Sequence, residues 1–308
     1  MTPSNPLRDE SGSTPLDSTA HLMNRINSQL VSQLSLVTLD GSRRPAPAPA
    51  LVVVAHGSRD PRALATVTAL LDRVRALRPG LTVRLGHIEL NDPPLDGTLA
   101  ATDGSAVLVP LLLSRGYHVK HDIPDAAARA PHLDTRVAAP LGPHALLVDA
   151  LHDRLVEAGW PADSARAGRR TGGVVLAAAG SRDPDSATDT RRTADLLAQR
   201  LGVPVIPAYA TPTATSPLGV PAALRALAAR GRHRTAVASY FTAPGRFATQ
   251  CADAAPWIAS APLGDHPAMA RLLLHRYDQA HATGTATTPA ATVPSPASQV
   301  PPRQLASA

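Results

Sequence analysis

Two histidines and one glutamate in the first half of the chain lie where predicted strands end. His56 directly follows the apolar run ALVVVA (50–55), Glu89 lies just past TVRLGH (82–87), and His118 lies just past a third apolar run. Ligands of open parallel sheets bind beyond the carboxyl ends of the strands, so we expect the three side chains on one rim. Two imidazoles and a carboxylate suit a divalent ion such as Fe²⁺, Co²⁺, Ni²⁺ or Zn²⁺. A neutral imidazole can also accept a proton, so the same histidines could act as bases.

Other polar residues near these positions are interpreted as structural. His121 lies in a predicted loop and is expected to be solvated, and His87 is expected to point to the opposite side of its strand end. His144 has a counterpart in the second half and is expected near a helix N-terminus. Ser58 lacks the Gly-x-Ser-x-Gly elbow of a nucleophile. Gly57 and Ser58 are instead expected to form a strand-to-helix turn whose N–H groups could hold a carboxylate.

Strands and helices alternate along the first half. Asp60-Pro61 is a typical helix start, because an N-cap residue is followed by proline, and apolar positions then keep helical spacing to a Pro-Gly stop at 79–80. Further helices are predicted from Pro94, from about Asp122, and from Pro143 to about Glu157. This alternation predicts an α/β fold, with a small parallel sheet flanked by helices on both faces.

The second half repeats this pattern. Gly57-Ser-Arg-Asp-Pro61 recurs 123 residues later at 180–184, and Ala139-Pro-Leu-Gly142 recurs 122 residues later at 261–264. Two matches at nearly one offset, each at the same place in the strand-helix order, indicate a tandem duplication. The predicted fold class is therefore two tandem three-layer α/β domains.

The repeat has lost all three candidate ligands while it keeps the Gly-Ser-Arg-Asp-Pro turn. The counterparts are Ala179 for His56, about Thr211 for Glu89, and, with Gly116 aligned to Gly245, Phe247 for His118. We therefore predict one metal site, in the first half.

Composition divides the chain further. Residues 1–48 lack periodicity and 282–308 are rich in Thr, Ala, Pro and Ser, so both ends are predicted to be disordered. The stretch 158–172 is predicted to be an interdomain linker. The catalytic domain is then 49–157, and the degenerate repeat is 173–281.

Charge and cysteine content exclude several classes of protein. The net charge is +6 and Lys120 is the only lysine, so arginine supplies nearly all positive charge. This favours a polyanionic ligand or simply GC-rich codon usage. Aromatic residues make up only 3%, which gives nucleic-acid binding little support. A lone cysteine, Cys251, and the lack of an apolar run of roughly 20 residues predict a cytoplasmic protein. The sequence does not distinguish a monomer from a homodimer.

The segments around the two histidines resemble the class II sirohydrochlorin chelatases, the small-type cobalamin and siroheme chelatases. The resemblance rests on Val-Val-Ala-His56-Gly-Ser-Arg and on Pro110-Leu-Leu-Leu-Ser-Arg-Gly-Tyr-His118-Val-Lys-His-Asp-Ile-Pro124. The Ala-Pro-Leu-Gly-x-His segment ending at His144 also fits. The resemblance covers about 51–155 well and 173–277 as a degenerate copy.

The resemblance implies a function and a substrate. This family inserts Co²⁺ or Fe²⁺ into sirohydrochlorin, a tetrapyrrole with eight carboxylates, without ATP. It implies two α/β domains facing each other across a cleft, with His56 and His118 as catalytic residues and metal ligands. Glu89 is implied as an assisting acidic residue, either ligand or base, although it could also cap the next helix. The metal is then a substrate, and no tightly bound cofactor is implied; iron, cobalt and nickel are not distinguished.

Substrate carboxylates are expected to bind Ser58, Arg59 and Arg115, which lie beside the histidine motifs. Two other classes of function stay open. A non-catalytic metal or tetrapyrrole carrier would use the same rim. A histidine phosphatase or phosphomutase also begins with strand-His-Gly, but its histidine normally follows arginine, whereas Ala55 stands here.

Overall fold

A computed structural model describes residues 48–161 and 170–285. The predicted N-terminal extension lies outside these ranges except for Ala48, and so do most of the linker and most of the C-terminal tail. No helix in the described ranges is long and apolar enough to cross a membrane.

The two halves contain the same series of strands and helices. The first contains β1 (Ala50–Ala55), α1 (Pro61–Leu77), β2 (Val83–His87), α2 (Leu95–Ala100), β3 (Ser105–Pro110), a π-helical turn (His118–Asp122), α3 (Ile123–Ala128), β4 (Asp134–Val137) and α4 (Ala145–Glu157). The second contains β5 (Gly172–Ala178), α5 (Pro184–Leu201), β6 (Val205–Tyr209), α6 (Val220–Ala228), β7 (Arg234–Ser239), α7 (Arg246–Asp253), β8 (Ile258–Ala259) and α8 (Pro267–Thr285).

Each half forms a parallel four-stranded sheet. The strand orders are β2-β1-β3-β4 and β6-β5-β7-β8, so the two sheets have the same topology. The apolar run of β1 is buried along its whole length, as expected for a central strand with helices on both faces. The predicted α/β fold class and the duplication are therefore confirmed.

Sequence periodicity misplaced some boundaries. The apolar run 106–113 predicts one strand, but β3 ends at Pro110. The run continues to Leu113 because this residue faces the other half, where its carbonyl oxygen accepts the Tyr240 hydroxyl at 2.9 Å and its side chain packs on the shared core. At the far end, α8 continues to Thr285, past the predicted start of the tail at 282.

The last helix of each half packs on the other half. Helix α4 contacts β7 and α5, whereas α8 contacts β3, β4 and α1. Each of these exchanged helices makes an equivalent hydrogen bond to the other half. Arg154 of α4 donates to the carbonyl oxygen of Leu263 at 3.2 Å, and Arg276 of α8 donates to that of Leu141 at 3.1 Å. The apolar core between the sheets is consequently built from both halves.

The turn after each first strand requires glycine. Gly57 has φ +103° and Gly180 has φ +100°. A Cβ at Gly57 would overlap the Glu89 carbonyl oxygen, and one at Gly180 would overlap that of Thr211. Both turns therefore bring the end of the first strand against the loop after the second, where the candidate ligands lie.

Candidate metal centre

His56 and His118 meet at the carboxyl ends of two neighbouring strands. β1 pairs directly with β3, with Val54 opposite Pro110. His56 directly follows β1, and His118 begins the π-helical turn after β3. Their ring centroids are 4.8 Å apart and the rings are nearly perpendicular, at 88°. The predicted convergence of the two imidazoles is present in the structure.

Both imidazoles are held by their Nδ1 atoms. Nδ1 of His118 lies 2.5 Å from the Oδ2 of Asp122, and Nδ1 of His56 lies 3.3 Å from the carbonyl oxygen of Gly57. A carbonyl or ionised carboxylate oxygen can only accept, so each bond requires the proton on Nδ1. The lone pair of each neutral ring is then on Nε2, the tautomer that can bind a divalent cation.

Asp122 is a site residue that the sequence analysis missed. Residues 118–122 form a π-helical turn, in which the Ile123 N–H donates to the His118 carbonyl oxygen. That turn brings the side chains of His118 and Asp122 together, and both are partly buried, at 29% and 35% exposure. The spacing of four residues would have pointed to the pair, had the segment been predicted as helix instead of loop.

Glu89 lies at the same rim, but its side chain does not join the histidines. The Glu89 N–H donates to the His56 carbonyl oxygen at 3.0 Å, while the side chain is exposed. Across the described ranges, no three histidine, cysteine, aspartate or glutamate side chains are placed to hold a metal ion together. The expected three-ligand set is thus not assembled, and the role of Glu89 as ligand or base stays a prediction.

The other histidines take the structural roles expected for them. His87 is 3% exposed, with Nδ1 3.3 Å from the Pro93 carbonyl oxygen. His121 is exposed, although its segment is helical and not a loop, and its ring lies 4.7 Å from that of Tyr117. His144 is the N-cap of α4, since its Nδ1 accepts the Leu146 N–H at 3.1 Å.

Arg115 is engaged by the other half. Its Nε and Nη2 donate to both carboxylate oxygens of Asp189, at 3.0 and 2.7 Å, and its Nη1 lies 3.5 Å from Asp185. Asp189 is only 1% exposed, and its hydrogen bonds raise the pKa of Arg115 above the usual value. Arg115 therefore links the two halves, and its role in binding substrate carboxylates stays a prediction.

The turn at Ser58 is also internally satisfied. Its N–H donates to Asn91 Oδ1 at 2.6 Å, and its Oγ accepts the Asp60 N–H at 3.1 Å. The Ser58 N–H is therefore not available to a carboxylate, contrary to expectation, although the Ser58 hydroxyl keeps its proton to donate. Arg59 is exposed, and no ion pair in the described part of the chain involves it. Both side chains stay predicted substrate contacts.

Backbone hydrogen bonds confirm which residues of the second half replace the candidate ligands. The Thr211 N–H donates to the Ala179 carbonyl oxygen as that of Glu89 donates to His56. Gly116 and Gly245 also correspond, because each carbonyl oxygen accepts the N–H four residues later. Phe247 therefore occupies the place of His118.

Comparison with known proteins places the chain in a family. The CbiX family model matches twice, over residues 50–158 and 173–280. The chain belongs to the CbiX family. Each match covers one of the two sheets, so the family model occurs once in each half.

Curated CbiX relatives include chelatases for two metals. A sirohydrochlorin ferrochelatase of Bacillus subtilis is 33% identical over 171 residues, which are 53% of this chain and 63% of that protein. The matched region thus spans less than two thirds of the Bacillus protein. A sirohydrochlorin cobaltochelatase of Methanococcoides burtonii is 27% identical over 123 residues, 35% of this chain and 94% of the relative.

Solved structures agree on the CbiX fold. SirB from Bacillus subtilis with Fe³⁺ is 24% identical with a TM-score of 0.63, covering 78% of this chain and 98% of SirB. A CbiX described as the terminal enzyme for siroheme biosynthesis in denitrifying bacteria is 22% identical with a TM-score of 0.56, covering 73% and 98%. At these identities the likeness establishes the fold.

Proposed function

We propose that the protein is a chelatase that inserts a divalent metal, Fe²⁺ or Co²⁺, into sirohydrochlorin without ATP. The observation that carries the proposal is the His56–His118 pair, with ring centroids 4.8 Å apart and both Nδ1 atoms already bonded. Membership of the CbiX family supports this substrate, because relatives named for both metals act on sirohydrochlorin.

Two imidazoles suit the transfer of a metal better than its storage. Metal insertion requires the ion to lose water, to be held beside the macrocycle, and then to leave the protein. A neutral imidazole binds Fe²⁺ and Co²⁺, whereas a set of soft thiolates would select other metals and retain them more strongly. Asp122 keeps His118 oriented, so that Nε2 is the nitrogen left to bind the metal.

Insertion must also remove two pyrrole protons from the macrocycle. A histidine that has released its metal can accept one proton, and the Glu89 carboxylate at the same rim can accept the second. Glu89 is exposed at the rim and its backbone is bonded to His56, so it is placed to pass a proton to solvent.

The proposal is tested by following the absorbance of sirohydrochlorin with Fe²⁺, Co²⁺ and Ni²⁺ in parallel. We expect the protein to metallate many equivalents of sirohydrochlorin. His56→Ala and His118→Ala should each reduce the rate by at least about 100-fold, because each removes one of two ligands. Metallation of at most one equivalent per protein would instead identify a carrier.

The internal repeat supplies the matched control. Phe247→Ala removes a side chain at the position equivalent to His118 but takes no ligand from the metal. We expect its maximal rate to stay within about threefold of the wild type. Full activity of His118→Ala would contradict the site assignment even if the chelatase function holds.

A further inference from the structure

The loops that follow the strands of one half touch those of the other at two equivalent places. A Cβ at Gly245 would lie 3.7 Å from the Oγ of Ser58, and a Cβ at Gly116 would lie 4.0 Å from the Oγ of Ser181. Arg246 follows Gly245 directly, and Arg182 follows Ser181. The second half therefore brings one arginine to each place, next to the turns that lead to His56 and His118.

Neither arginine has a carboxylate partner within the described residues. Both are exposed, and none of the ion pairs in the described ranges includes them. Of the other cations at this boundary, Arg59 of the first half is likewise without an ion pair in the described ranges, whereas Lys120 and Arg115 have carboxylate partners. Lys120 lies 2.7 Å from Asp183 and 2.9 Å from Asp185, and Arg115 is bonded to Asp189.

Arg246 is also held in place by an aromatic ring. Its guanidinium lies 4.8 Å from the centroid of the Phe247 ring. Phe247 is the counterpart of His118, so Arg246 is the counterpart of Tyr117. Where the first half presents a metal ligand, the second half presents an arginine supported on an apolar ring. Such a guanidinium keeps its planar fork ready for a carboxylate.

We propose that the second half binds peripheral carboxylates of the anionic macrocycle through Arg246 and Arg182, and so forms the substrate-holding wall opposite the histidine pair. This inference rests on the proposed chelatase function. It gives the degenerate repeat a task that needs no metal ligand, and it assigns substrate binding to residues outside the histidine motifs.

The test separates binding of the macrocycle from metal chemistry. Metal-free sirohydrochlorin is titrated into wild-type protein and into Arg182→Ala, Arg246→Ala and the double variant, with binding followed by absorbance. Each substitution should raise the Kd about tenfold, as expected for loss of a charged hydrogen bond, and the double variant should raise it about 100-fold. Arg246→Lys keeps the charge without the fork and should give an intermediate Kd.

Arg230→Ala is the matched control. Arg230 is an exposed arginine of the same half, but it precedes β7 and so lies near the amino ends of the strands, opposite to the ends that Arg182 and Arg246 follow. Its removal should leave the Kd unchanged. In steady-state assays the double variant should raise KM far more than it lowers kcat, and its affinity for Co²⁺ alone should equal that of the wild type.

Two kinds of failure are distinguishable. If wild-type protein metallates sirohydrochlorin but the double variant binds it with unchanged Kd, this inference is wrong while the chelatase function stands. If wild-type protein neither binds nor metallates sirohydrochlorin, the proposed function itself is wrong. A loss of Co²⁺ affinity in the double variant would also overturn the separation of roles, since the arginines would then act on the metal centre.

Discussion

The hydrogen bond between His118 and Asp122 decides which nitrogen of the imidazole can bind metal. With Nδ1 2.5 Å from the carboxylate, the ring cannot turn its other nitrogen inward without losing a charge-assisted bond. His56 has a weaker anchor, the Gly57 carbonyl at 3.3 Å. At the scale of single residues the site is therefore asymmetric, with His118 the better oriented of the two proposed ligands.

Asp122→Asn tests this role of the carboxylate. The amide still fits beside His118 but carries no charge, so its hydrogen bond to Nδ1 should be weaker and the ring should be held less firmly. We expect the affinity for Co²⁺, measured by titration, to decrease at least about tenfold. Asp125→Asn, an exposed carboxylate in the first turn of α3, should leave that affinity unchanged. Equal affinities in the two variants would exclude the orienting role.

Residues whose role depends on a nearby strand end or helix start could be predicted from the sequence. Residues whose role depends on a contact between the two halves could not. His56 and His118 follow from strand ends, and His144 from a helix start. The ion pair of Arg115 was not predicted because its partner, Asp189, is 74 residues away on a helix of the repeat. No local pattern connects that pair, and only the packing of the halves brings it together.

Among the helices, α4 and α8 share an uncommon N-cap. The Nδ1 of His144 accepts the Leu146 N–H at 3.1 Å, and that of His266 accepts the Ala268 N–H at 3.2 Å. Burial lowers the pKa of both histidines, reinforced by Arg276 near His144 and by Arg154 near His266. Asp153 acts in the opposite direction on His266, but burial and Arg154 outweigh it.

These caps make the stability of the fold pH-dependent. A protonated imidazole cannot accept an N–H, and the unfolded chain binds the proton more readily because its histidine pKa is about 6.5. Stability is therefore full above pH 6.5 and falls as the pH drops from there through the lowered pKa values. We expect the free energy of unfolding to decrease between pH 7.5 and 5.5 by about 1 kcal/mol for each cap lost.

Asparagine caps a helix without titrating in this range. The double variant His144→Asn/His266→Asn should therefore flatten the dependence, as measured by chemical denaturation at several pH values. Asp60→Asn, which replaces the N-cap of α1, is the control and should leave the slope unchanged, since the pKa of Asp60 is already below its usual value of 3.8. An unchanged slope in the double histidine variant would contradict the assignment.

Helix starts were predictable because capping is local. Asp60-Pro61 signals the start of α1, and its side chain accepts the Arg62 N–H as expected. The π-helical turn could not be predicted, because its extra residue depends on packing at the site and not on helix propensity.

For the whole molecule, the exchange of α4 and α8 means that neither half is complete alone. In the first half alone, the face of β3 and β4 that α8 covers would be exposed. Helix α4 of that half would also lack β7, the strand on which it packs. A sequence pattern identifies the buried face of each helix but not the sheet against which it packs. The tandem repeat could therefore be predicted, and the exchange could not.

A prediction for the separated first half follows. Residues 48–161 produced alone should form a homodimer in which two copies of α4 take the places of α4 and α8. Light scattering coupled to size exclusion should give twice the monomer mass. Because each copy carries both histidines, the dimer should bind two Co²⁺ ions. A folded monomer of this segment would contradict the exchanged packing.

Joining the two halves in one chain also allows equivalent positions of the two halves to differ, which is impossible in a dimer of identical subunits. In a dimer of identical chains, every substitution appears in both copies, so a residue cannot be optimised for metal in one copy and for carboxylate in the other. In this chain, position 247 can carry phenylalanine while position 118 keeps histidine. A fused chain can therefore use different residues at equivalent positions of its two halves, whereas a dimer of identical chains cannot.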